Sequence, residues 1–214
     1  MVMFAAFEEQ SLAFAPGTVR YDQVFADYIC WCAEEFWQGP GAYYAPYVVL
    51  FQSSMTGKSR MLKELAQNTF FTVMICVRKE SAIMQPPRTE AVADALLRPK
   101  IPSSEALMME LLKSYLQKFQ EWVGGLPVCQ GNQIKPKDWH NQQQVVDGEV
   151  GKALAASNIC ASKICADVRN WAAVEKKLGQ HTACSSLDIL FVFDEARTLI
   201  DHLDEQGVSL FRYT

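Results

Sequence analysis

Two short groups of residues have the types and spacing for phosphate chemistry: Thr56-Gly57-Lys58-Ser59 and, about 135 residues later, Asp194-Glu195. A loop that leaves a buried strand and enters a helix can turn its backbone N–H groups toward one point. The helix N-terminus adds partial positive charge, so an anionic phosphate is held there. On this reading Ser53, Ser54, Met55 and Thr56 form the loop and Gly57 lets the backbone approach the phosphate. Lys58 reaches the β and γ oxygens, the Ser59 hydroxyl ligates Mg²⁺, and Arg60 follows in the first turn of the helix. Gln52 stands where the pattern G-x-x-x-x-G-K-[ST] begins with glycine, so the loop is a degenerate form. Asp194, ending an apolar run, is placed to hold the Mg²⁺, and Glu195 to polarise an attacking water. The plainer reading is that the two acids cap a helix starting near Ala196, where negative charge favours the dipole.

The elements that must position these groups follow from the apolar pattern. Between Val19 and Trp37, apolar residues at three- and four-residue steps predict a helix, stopped at Gly39-Pro40-Gly41. Tyr47 to Phe51 is β-branched and aromatic and reads as a buried strand leading into the loop, and Arg60 to Asn68 continues in helical phase. Phe70 to Val77 is apolar on both faces, as in the middle of a sheet. Thr89 is placed to cap a short helix through Leu97, and Ser103 or Ser104 a longer one through Val123 with a stripe of Met108, Leu111, Leu112, Tyr115, Phe119 and Trp122. Pro127 to Gln144 is polar and lacks an apolar period, which predicts an exposed loop, and Val150 to Leu178 is helical in pattern. Leu187 to Phe193 is the last strand. The expected fold is α/β: a mostly parallel sheet sandwiched by helices, with an N-terminal helical segment at 1–45, a nucleotide-type domain at 46–214 and a helical insertion at about 88–180.

Composition bounds the function. Of 214 residues, 50% are hydrophobic and 21% charged, a globular balance, and a net charge of −4 with scattered Lys and Arg offers no footprint for nucleic acid or a membrane surface. Met1 to Pro16 carries Glu8 and Glu9 and no early Lys or Arg, unlike a secretory signal, and no apolar run approaches the roughly 20 residues that span a bilayer, so a cytoplasmic or nuclear location is expected. Seven cysteines without repeated short spacing favour reduced, buried thiols over a zinc site built from Cys30, Cys32 and Cys160 or Cys165. His140 and His202 lie near acids but lack a nucleophile motif and read as exposed structural histidines. Trp31, Trp37 and Trp122, with Tyr43, Tyr44 and Tyr47, read as core packing rather than a base-stacking surface. Arg78 and Arg197, near predicted strand ends, are candidates to stabilise transition-state charge, with surface salt-bridging as the alternative.

Phe51-Gln52-Ser53-Ser54-Met55-Thr56-Gly57-Lys58-Ser59-Arg60-Met61, the strand end Cys76-Val77-Arg78 and the late Phe193-Asp194-Glu195-Ala196 together resemble the P-loop NTPase domains of large fungal proteins, some of them similar to Crinkler-type effectors of fungi and oomycetes. The likeness covers about Tyr44 to Leu210, with Met55 where the family usually carries a glycine. It implies a Walker A loop and a Walker B strand binding a purine nucleoside triphosphate, ATP in preference to GTP, with Mg²⁺. Members continue past the acid pair through further strands carrying a sensor residue and often an arginine, so the resemblance implies a chain truncated after Walker B, with an incomplete sheet. Weak or absent hydrolysis and a protein partner or self-association at an unpaired strand edge are then expected. The alternative is a non-catalytic interaction module that keeps the fold without the chemistry.

Overall fold

A computed structural model describes residues 21–38, 48, 57–79, 87–101, 103–125, 134–156 and 189–210. The chain divides into two compact units, Met1–Leu65 and Ala66–Thr214. In the first, helix α1 spans Tyr21–Gln38, and helix α2, Lys58–Asn68, runs across the boundary. The predicted strand at 47–51 lies outside the described residues except for Val48.

The second unit is α/β, mostly helical, around a small parallel sheet. Strand β1 (Phe71–Cys76) is followed by helices α3 (Glu90–Leu96), α4 (Ser104–Gly125) and α5 (Pro136–Ala156), then by strand β2 (Ile189–Asp194) and the short helix α6 (Arg197–Asp201). The two strands pair parallel in a register that sets Phe71 against Ile189 and Cys76 against Asp194. Their C-terminal ends therefore share one end of the sheet. Among the described residues three helices lie in sequence between the paired strands. They supply most of the core: Val92 and Leu96 from α3, Leu107, Leu111, Tyr115 and Phe119 from α4, and Trp139, Val150 and Leu154 from α5 pack with Val73 and Ile75 of β1. Phe71, Phe119, Trp122 and Trp139 form an aromatic group, with the Phe119 and Trp139 rings edge to face at 4.8 Å. Helices α3 and α5 touch at Gly151, where an added Cβ would lie 2.5 Å from the Ala91 backbone, so glycine is required by proximity.

Helix α5 overturns one expectation. Pro136 to Gln144, read as the second half of an exposed loop, begins this helix; of the helical pattern assigned to Val150–Leu178, residues 150–156 are its last turns and the rest lies outside the described residues. Its inward stripe is Trp139, Gln143, Val146, Val150 and Leu154, with Asp147 beside it. Two of these are polar, which breaks the apolar period. Pro136 sits at the first helical position, where its missing N–H costs nothing.

Trp139 and Gln143 close the outer edge of β1. Trp139 Nε1–H donates to the Thr72 carbonyl at 3.1 Å. One turn on, the Gln143 amide acts as a strand would: Oε1 accepts the Met74 N–H at 3.2 Å and Nε2 donates to the Met74 carbonyl at 2.6 Å. Thr89 completes the edge. Its Oγ1 accepts the Cys76 N–H and its own N–H donates to the Cys76 carbonyl, both at 3.0 Å. Thr89 does precede α3, as predicted, but its hydroxyl serves the strand and makes no cap bond. An edge whose backbone groups are engaged in this way is protected from pairing with another strand.

Two other expectations hold only in part: Trp122 packs against the core and Cys76 is buried, but the remaining described members do not follow. Trp31 is 45% exposed rather than packed in a core, and Cys30 is exposed, with Cys32 half-buried and Cys76 alone of the three buried. Both exposed residues lie on the solvent side of α1. Among the described residues no helix is long and apolar enough to cross a membrane.

Candidate functional site

Gly57 has φ +87°, a left-handed conformation in open space that a side chain would strain. The helix begins at the next residue, so Lys58 and Ser59 occupy the first turn of α2, and Met61 N–H donates to the Gly57 carbonyl at 2.9 Å to close it. In a first turn the N–H groups have no carbonyl four residues back and point out along the axis. Arg60 is exposed and pairs with Glu64 at 2.9 Å, one turn along the same helix. Ser53, Ser54, Met55 and Thr56 lie outside the described residues.

In the second unit, β2 ends in Asp194 and the chain turns at once through Glu195, a non-glycine residue at φ +60°. Such a conformation costs of order 1 kcal/mol or more and persists where the surroundings hold it. Asp194 Oδ1 accepts the Glu195 N–H at 3.1 Å, and the Asp194 carbonyl accepts the Val77 N–H at 3.1 Å, tying the turn to the end of β1. The acids do not cap the helix that follows: α6 starts at Arg197, Ala196 holds the N-cap position, and no side chain makes a cap bond.

Arg78 meets Glu195 at this end of the sheet. Its guanidinium, 6% exposed, lies 3.3 Å from Glu195 Oε1. The group proposed to stabilise charge and the group proposed to polarise water are therefore bound to one another. Arg78 is itself held: Arg88 Nε–H donates to its carbonyl at 2.7 Å, and the Arg88 guanidinium is clamped by Glu90 and Asp94. Burial raises the Cys76 thiol, opposed by a backbone hydrogen bond at Arg78, with the charges of Asp194 and Glu195 adding to the rise. Arg197 is exposed. His202 is half-buried rather than exposed, its Nε2 3.0 Å from the Arg98 carbonyl, and His140 is half-buried on α5.

Among the described residues no three His, Cys, Asp or Glu side chains gather into a metal cluster. Of the proposed zinc ligands, Cys160 and Cys165 lie outside the described residues. Ser59 and Asp194, the residues expected to ligate Mg²⁺, lie in different compact units. The Arg78–Glu195 pairing and the edge-closing roles of Thr89, Trp139 and Gln143 carry no sequence motif. Trp139 and Gln143 stand one helical turn apart, a signal that a polar segment conceals.

Residues 19–214 match DUF8735, a domain of unknown function, and the chain belongs to that family. No curated protein and no solved structure matches it.

Proposed function

For this member of the DUF8735 family, we propose binding of a purine nucleoside triphosphate, with ATP preferred to GTP, at the Gly57–Ser59 turn. The observation that carries the reading is Gly57 in a left-handed conformation immediately before a helix whose first residues are Lys58 and Ser59. A left-handed glycine leading into a helix N-terminus leaves first-turn N–H groups available to an anion, which supports the reading. Ser53, Ser54, Met55 and Thr56 are assigned to the same cradle by sequence alone. The left-handed Glu195 turn supports a chemical role for the acid pair, because helix capping does not account for it.

Bound Mg²⁺ would supply charge neutralisation across the β and γ phosphates. Ser59 and Asp194 are the residues assigned to hold it. Glu195 is assigned to orient water, but its Oε1 is engaged by Arg78, so binding with slow or undetectable turnover is the expected behaviour. Resemblance to fungal P-loop and Crinkler-type domains agrees with this reading.

Thermal unfolding tests it. At about 100 times its dissociation constant, Mg·ATP should add about 2.7 kcal/mol, a rise of roughly 5–10 °C for a chain of this size. The rise should depend on Mg²⁺ and vanish in Lys58→Ala. An unchanged melting temperature at millimolar Mg·ATP overturns the reading.

A further inference from the structure

Side chains hold the outer edge of β1 at alternate residues: Trp139 at Thr72, Gln143 at Met74 and Thr89 at Cys76. Val77, one residue out of phase, donates its N–H to Asp194 of β2 instead. Thr72, Met74 and Cys76 therefore turn their backbone groups away from β2, and these are the groups that a further strand would use. Gln143, 4% exposed, meets both the N–H and the carbonyl of Met74 with one amide, at the middle of the strand. We propose that this edge is a masked self-pairing surface: Gln143 stands in for a neighbouring strand, and when its amide is lost two copies of the chain join antiparallel through their β1 strands.

The sequence of β1 makes the edge a hazard. Phe-Thr-Val-Met-Ile-Cys is apolar and β-branched, without a charge, a glycine or a proline, the composition of segments that pair with their own kind. Edge strands are commonly blunted by a charge, a proline or a bulge. β1 carries no charge and no proline, so its protection rests on the side chains set against it. The edge is also self-complementary. An antiparallel pairing with a two-fold axis at Met74 sets that residue against itself and Thr72 against Cys76 of the second copy, so every engaged residue meets one with the same outward groups.

Gln143→Leu keeps the size of the side chain and removes the amide. The Met74 N–H and carbonyl then lose their partner beneath a helix, which weakens the hold of α5 on the strand. Once α5 lifts, a second β1 satisfies both groups. The apolar side chains uncovered with the edge favour that copy over water. None of these residues belongs to the proposed nucleotide site.

The test is sedimentation velocity of the full chain from low to high micromolar concentration. Wild type should stay monomeric where Gln143→Leu dimerises, with association at least about tenfold stronger in the variant. Met74→Lys, at the half-buried position of β1, places like charges face to face across the two-fold axis and should return Gln143→Leu to monomer. A monomeric Gln143→Leu, or a dimer that persists when Met74→Lys is added, overturns the proposal. If Gln143→Leu does not fold, wild type in sub-denaturing urea decides. It should then associate, and Met74→Lys should suppress the association; no association, or association that Met74→Lys leaves unchanged, overturns the proposal.

Discussion

Strands β1 and β2 are equal in length, parallel and both largely apolar, yet they are used differently. β1 is buried at five of its six positions, while every residue of β2 is half-buried. Thr72, Met74 and Cys76 of β1 make five outer-edge hydrogen bonds to Trp139, Gln143 and Thr89. β2 ends in an acid and a left-handed glutamate facing a buried arginine. The difference teaches that the same kind of sequence, six apolar-rich residues, can build a core or bring charged groups to a sheet end. What decides is the set of side chains brought to its edges.

Removing what closes β1 should have the largest effect. Trp139→Ala deletes a fully buried indole that packs on Phe119 and Trp122 and donates to the Thr72 carbonyl. A loss of about 3–5 kcal/mol is expected in urea unfolding. A loss below about 1 kcal/mol would mean that the helix does not carry the strand edge.

Matched truncations sharpen the comparison at smaller scale. Val73→Ala, in β1 at 1% exposure, should cost about 2 kcal/mol, whereas Val192→Ala, half-buried in β2, should cost about 1 kcal/mol or less. Equal losses would make the two strands equivalent and remove the distinction.

The elements most legible in sequence were those with an uninterrupted period. Both described strands, the helix beginning at Ser104 and the helix following Thr89 stand within a few residues of their predicted bounds. Helix α5 was hidden because Gln143 and Asp147 occupy inward positions and serve β1 and Tyr115 rather than an apolar core. A periodicity of hydrophobicity does not register buried hydrogen bonding. At the candidate site, Gly57, Lys58, Ser59, Asp194 and Glu195 stood out by type and order, and Arg78 by its place at a strand end. That Arg78 binds Glu195 depends on the parallel register, which sets Cys76 beside Asp194 across 118 residues of chain. No local pattern encodes such a pairing.

The central proposal is that the Gly57–Ser59 turn binds a nucleotide, with Asp194 assigned to Mg²⁺ by sequence alone, while the middle of β1 serves the fold. Equilibrium titration with a fluorescent ATP analogue and Mg²⁺ tests it most directly in wild type, Lys58→Ala, Asp194→Asn and Val73→Ala. The account predicts that Lys58→Ala loses at least about tenfold in affinity, the loss of about 1.4 kcal/mol or more of phosphate contact. Asp194→Asn should lose the Mg²⁺ dependence, and folded Val73→Ala should bind as wild type does. Equal affinity in wild type, Lys58→Ala and Asp194→Asn would contradict it.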